Sequence, residues 1–175
     1  MDYLDIETTS LFADTGMLVC AVLRRNGENR EFFVECPEAE KRTLGDLLTM
    51  LSECDELVTF NGKSFDLPFI LSRALVLGIE GPGLPPQFHL DLYEEFKRRF
   101  RFVKLSLGHL SHILGYDSEV ATTGVDVPNL YLQYLAERDA ELKQEILRHC
   151  NSDVDLLQQI HHRLKPLFER EEDDQ

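Results

Sequence analysis

The order of elements along the sequence predicts an α/β fold, a mixed sheet covered by helices. Three observations carry that expectation. Three strand candidates in succession open the chain, helix and strand then alternate, and beyond Asp91 the pattern is almost wholly helical. Consecutive strands joined by tight turns pair antiparallel, while strands separated by a helix can lie parallel, so the sheet should contain both kinds of pairing.

The elements follow in order. Residues 2–6 (DYLDI) form a short first strand, residues 17–24 (MLVCAVLR) an apolar buried one, and residues 30–35 (REFFVE) a third. Asn26-Gly27 lies between the last two and suits a two-residue hairpin turn. Residues 43–53 place Leu44, Leu47, Leu48 and Leu51 on one helical face. A short strand at 57–60 (LVTF) leads to a helix at 66–77 that Gly78 can close, and residues 88–91 make the fifth strand. Helices are then expected at 92–100, 106–114, 128–136, 140–148 and 151–168, with Gly115 stopping the second and Pro128 opening the third. The Pro/Gly-rich stretch from Gly81 to Pro86 reads as a loop within a single domain of residues 1–168, and residues 169–175 as an acidic flexible tail.

Composition narrows the class. A chain of 175 residues with 43% hydrophobic residues can build a core, which argues against disorder. No apolar run approaches the ~20 residues that span a bilayer. The N-terminus lacks a basic segment followed by an apolar one, so a cytoplasmic protein is expected. Cys20, Cys36, Cys54 and Cys150 are scattered without a C-x-x-C pair, which fits reduced thiols better than a zinc or disulfide framework. The net charge of −14 opposes tight non-specific binding to a duplex. Carboxylates that hold cations are neutralised when occupied, so catalysis on a strand end stays compatible with it.

Three clusters carry chemistry. Asp5 and Glu7 are two apart on the first strand and leave it on one face, followed by the polar exit Thr8-Thr9-Ser10. Such a pair serves either an exposed sheet face or a cation. In the second cluster, residues 60–70, a strand runs through a Gly-containing turn to Asp66 at a helix start. Asp66 there is either a helix cap or a ligand, and Asn61 and Lys63 are either turn residues or phosphate contacts. In the third, His149 and Asp153 lie at i and i+4 on one helix face.

Taken together, D-I-E-T-T-S-L at 5–11, N-G-K-S-F-D-L-P-F at 61–69 and H-x-x-x-D-V at 149–154 resemble the three motifs of the DEDD exonuclease superfamily, which includes polymerase proofreading exonucleases. Phrases at 89–92, 105–115 and 123–128 further resemble the YprB-like branch of ribonuclease H-like proteins. The resemblance implies a ribonuclease H-like fold with a five-stranded mixed sheet. It also implies that Asp5, Glu7, Asp66 and Asp153 converge to hold two Mg²⁺ or Mn²⁺ ions. The activity implied is a metal-dependent 3′→5′ exonuclease acting on single-stranded or frayed nucleic acid. A metal-dependent endonuclease and a non-catalytic nucleic-acid or protein adaptor are the alternatives. His149 departs from the family pattern, standing at the spacing where one subgroup has Tyr, with Arg148 at the spacing where the other has His. It is either a catalytic base or a polar residue at a helix junction.

The remaining candidates are weaker. Lys97, Arg98 and Arg99, with Arg101 and Lys104, interleave with Phe96, Phe100 and Phe102. The run is either a strand-binding surface with stacking aromatics or a helix with buried Phe and a solvated basic face. His109/His112 and His161/His162 lack partners for a zinc set and are expected on helix surfaces. Asp91 is a spare carboxylate that supports the site without ligating.

Overall fold

The computed structural model describes residues 1–80, 88–116 and 120–172, with side chains described through Leu167. Strands β1 (Asp2–Thr8), β2 (Leu18–Arg25), β3 (Glu28–Phe33), β4 (Glu56–Thr59) and β5 (Phe88–Asp91) form one sheet in the order β3-β2-β1-β4-β5. β1–β2 and β2–β3 pair antiparallel, β1–β4 and β4–β5 parallel. The five-stranded mixed sheet is therefore present as expected. Its hairpin turns at Asn26 (φ 54°) and Gly27 (φ 82°), the two positive dihedrals that match the twist of the flanking strands.

Helices α1 (Glu40–Ser52), α2 (Asp66–Val76), α3 (Leu92–Arg99), α4 (Leu107–Leu114), α5 (Val127–Glu137) and α6 (Ala140–Glu172) surround the sheet, and a 3-10 turn at Pro37–Ala39 precedes α1. Ser106 caps α4 by accepting from the His109 N–H, and Gly115 ends it at φ 79°. The expected loop from Gly81 to Pro86 and the last three residues of the acidic tail, 173–175, lie outside the described residues.

One helix boundary is corrected. The two final helices, separated at 149–150 in the sequence reading, are a single helix α6. Asn151, which can break a helix by bonding its own backbone, instead donates to the Leu147 carbonyl and to Glu31 and accepts from Asn29. With its amide engaged by β3 and its hairpin, it leaves the helical ladder intact.

α6 lies along β1 with its apolar stripe Ile146, Leu147, Cys150, Val154, Leu157, Ile160 and Leu164 buried. Three contacts fix the register. Tyr3 Oη bonds His161 Nδ1 at 2.9 Å, Asp5 Oδ2 is 3.3 Å from Cys150 Sγ, and Glu7 Oε1 is 3.0 Å from His149 Nε2. The period of two in β1 thus presents Tyr3, Asp5 and Glu7 to one helix. His161, expected on the surface, is buried against Tyr3, and burial first, then the neighbouring cations, lowers its pKa to about 4.

Candidate metal centre

β1 ends in an irregularity. Glu7 pairs with Cys20, but Thr8 pairs with Leu18, so the ladder shifts register between Glu7 and Thr8. Such a bulge ends regular pairing and re-aims the chain at the strand exit. The Thr8 hydroxyl donates to the Ser10 carbonyl at 2.8 Å and helps fold that exit. Arg73 and Glu40 brace the loop beyond it. They form a buried pair in which Arg73 donates to the Ala13 carbonyl at 2.8 Å and Glu40 accepts from the Leu18 N–H at 2.7 Å.

The strand ends of β1 and β4, the start of α2 and the middle of α6 meet here. Glu7 Oε1, His149 Nε2 and one Asp153 oxygen lie within 4.8 Å of one another, with His149 Nε2 3.0 Å from Glu7 and 3.9 Å from Asp153. Asp5 and Asp66 complete the charge cluster. Burial, and then the charges of Asp153, Glu7 and Asp66 in turn, raise the Asp5 pKa well above the usual carboxylate range. Burial raises that of Asp66 to about 8, with Asp91 and Glu7 adding to it against backbone hydrogen bonds that lower it. Asp153 is raised to about 6, chiefly by burial, with His149 opposing and Glu7 adding. Burial disfavours the imidazolium of His149, but its hydrogen bond to Glu7 and the charges of Asp153, Glu7 and Asp126 outweigh that, and its pKa is raised.

The profile of the RNase_H superfamily matches residues 3–165. The chain belongs to this superfamily. Among similar proteins, YprB of Bacillus subtilis is 32% identical over 111 residues, covering 61% of this chain and 27% of YprB. DNA polymerase 1 of Aeropyrum pernix is 31% identical over 143 residues, 69% of this chain and 15% of the polymerase. DNA polymerase 1 of Sulfolobus acidocaldarius is 31% identical over 111 residues, 54% and 13% respectively. The family B DNA polymerase of Pyrobaculum calidifontis superposes with a TM-score of 0.76 at 20% identity, covering 94% of this chain and 24% of that one. This RNase_H superfamily chain thus spans about a quarter or less of the relatives it matches.

The donor set of this RNase_H superfamily member fits a divalent cation. Crowded carboxylates with raised pKa values repel one another when ionised, and a bound cation relieves that repulsion. Carboxylate oxygens and imidazole nitrogen are both common ligands of divalent cations. Among the described residues there is one candidate cluster, Glu7, His149 and Asp153. His149, assigned from sequence to catalysis rather than to ligation, thus stands where it can ligate as well. That role rests on its contact with Glu7 across 142 positions of sequence, for which no local pattern exists.

The other sequence candidates have different surroundings. Asp91, almost fully buried, accepts from the backbone N–H of Asn61 (2.8 Å), Lys63 (3.0 Å) and Tyr93 (3.0 Å). It clamps the turn before Asp66. Asn61 sits at φ 67°, and a Cβ at Gly62 would come within 2.4 Å of Thr59 Oγ1, so this turn needs glycine there. Lys63 pairs with Glu94 at 3.0 Å. In α3, Arg98 and Arg99 both bond Glu95, and Lys97 lies 5.9 Å from the Tyr93 ring. Phe96, Phe100 and Phe102 pack on one another with centroids 5.3–6.0 Å apart; Phe96 lies in the core, and the half-buried Phe100 and Phe102 pack against it.

Proposed function

We propose that this protein is a divalent-metal-dependent 3′→5′ exonuclease that hydrolyses phosphodiester bonds at the end of single-stranded or frayed nucleic acid. The observation that carries this reading is the meeting of Asp5, Glu7, Asp66 and Asp153 at one end of the sheet, each raised carboxylate feeling the charge of another. The similarity to archaeal DNA polymerases and to YprB supports it. In this reading Asp5, Glu7, Asp66 and Asp153 would hold two Mg²⁺ or Mn²⁺ ions. When bound, these ions supply Lewis-acid stabilisation of the attacking and departing oxygens.

The chain's own residues divide the remaining work. His149, whose Nε2 hydrogen-bonds Glu7 in the cation-free protein, would take a proton from the attacking water in its neutral form, at Nε2 once that nitrogen is free of Glu7. Burial of the carboxylates keeps their charge in a low-dielectric surrounding, where it acts strongly on a bound cation. Asp91 fixes the turn that aims Asp66. Thr8, Asn61 and Lys63 remain candidate substrate contacts beside the carboxylates.

The test is degradation of end-labelled DNA and RNA strands and of a circular single strand, with Mg²⁺, with Mn²⁺ and with chelator. Expected is stepwise shortening of linear strands from the 3′ end, intact circles, no cleavage in chelator, and loss of activity in Asp5→Asn and Asp153→Asn. Cleavage of circles replaces the exonuclease with an endonuclease. Wild-type rates in both Asn variants would refute the carboxylate site.

A further inference from the structure

A net charge of −14 leaves open how such a chain meets a polyanion. The cleft beside the metal centre offers a route. It has a volume of about 750 Å³ and runs from His149 and Asp153 on α6, past the 122–125 loop, to α4 and the segment before it. The chain has 32 acidic residues against 18 Lys and Arg. Yet Asp153 is the single carboxylate among the described residues lining this cleft, and Lys104, His109 and His112 line it too. Lys104 and His112 are exposed and His109 is half-buried. Thr122 and Thr123 face it as well, but their hydroxyls donate to Glu145 and Asp126, which leaves the Lys104–His112 side as its basic wall. In the other basic stretch, at α3, Arg98 and Arg99 hydrogen-bond Glu95, which offsets their charge.

Resting on the nuclease reading above, we infer that this cleft holds the single strand leading to the scissile bond, with Lys104 and His109 contacting its phosphates. Its volume lies in the range of small-molecule sites, which suits a short stretch of single strand. Contacts of this kind hold a strand by its backbone charge and not by base identity. A mononucleotide, which has no phosphate upstream of the scissile position, gains nothing from the cleft.

The assay is fluorescence anisotropy of 5′-labelled ten-nucleotide DNA and RNA strands, with Mn²⁺ present, in an Asp5→Asn background that prevents cleavage. Adding Lys104→Gln and His109→Gln should weaken strand binding about tenfold or more, as one or two charge-assisted hydrogen bonds are removed. The slope of log affinity against log salt should flatten by roughly 0.7 for each phosphate that the cleft no longer neutralises. Competition by thymidine 5′-monophosphate should be unchanged, and the triple change Lys97→Gln, Arg98→Gln, Arg99→Gln should weaken the strand less. Unchanged strand affinity and salt slope in the cleft variant overturn the proposal. Should the double variant fail to fold, the exposed Lys104→Gln alone carries the same expectation at smaller size. The two readings fail differently. If the wild type degrades strands while the cleft variant binds them normally, only the cleft assignment is wrong. If the wild type neither binds nor degrades any strand, the nuclease reading falls, and this one with it.

Discussion

Replacing Asp153 by Asn separates the electrostatics of the site from its catalysis. The Asp153 carboxyl holds its proton up to about pH 6 in the fold, against an ordinary value of 3.8. The contribution to stability is therefore full below about pH 4 and is lost as pH rises to about 6. A rise of about two units corresponds to roughly 3 kcal/mol at ~1.36 kcal/mol per unit. The side chain is 26% exposed, and solvent screening reduces the expected effect to about 1–2 kcal/mol. In chelator at pH 8, D153N should be more stable than the wild type by that amount in urea melts, which for a chain of this size is about 2–8 °C in Tm. The difference should vanish below pH 4. Saturating Mg²⁺ or Mn²⁺ should reverse the order. A cation at a hundred times its Kd stabilises the wild type by about 2.7 kcal/mol, while the variant lacks one ligand and gains less. D153N that is less stable than the wild type in chelator at pH 8, or equal stabilisation of both proteins by the cation, would refute the reasoning.

Two further outcomes follow from neighbouring residues. His149→Ala should lower the single-turnover rate roughly 10²–10⁴-fold if Nε2 accepts the proton. Because the His149 pKa is raised in the fold, the stability its imidazolium confers is present at low pH and lost as pH rises through that value. His149→Gln should therefore destabilise the cation-free protein more at pH 6 than at pH 9, and the opposite order would remove His149 from the charge cluster. Asp91→Ala strands three backbone N–H groups and should cost about 2–4 kcal/mol in urea melts. A near-neutral Asp91→Ala would show that the turn before Asp66 holds itself.

Much of this molecule is written locally. The five strands, the Asn26-Gly27 hairpin, the α2 start at Asp66 and the α4 stop at Gly115 follow from side-chain period and turn chemistry, which act over a few residues. The order of the carboxylate motifs also needed no coordinates, since the strand period puts Asp5 and Glu7 on one face. What the sequence by itself could not decide are contacts between distant positions. Asn151 was free to break a helix until β3 and its hairpin engaged its amide. Phe96, Phe100 and Phe102 were as fit for stacking bases as for the core until they packed together. Asp91 became the clamp of the 61–63 turn, and His149 the partner of Glu7, only once β5 and α6 docked beside them. Burial and charge coupling depend on everything within a few ångströms in space, and tertiary packing alone sets that neighbourhood.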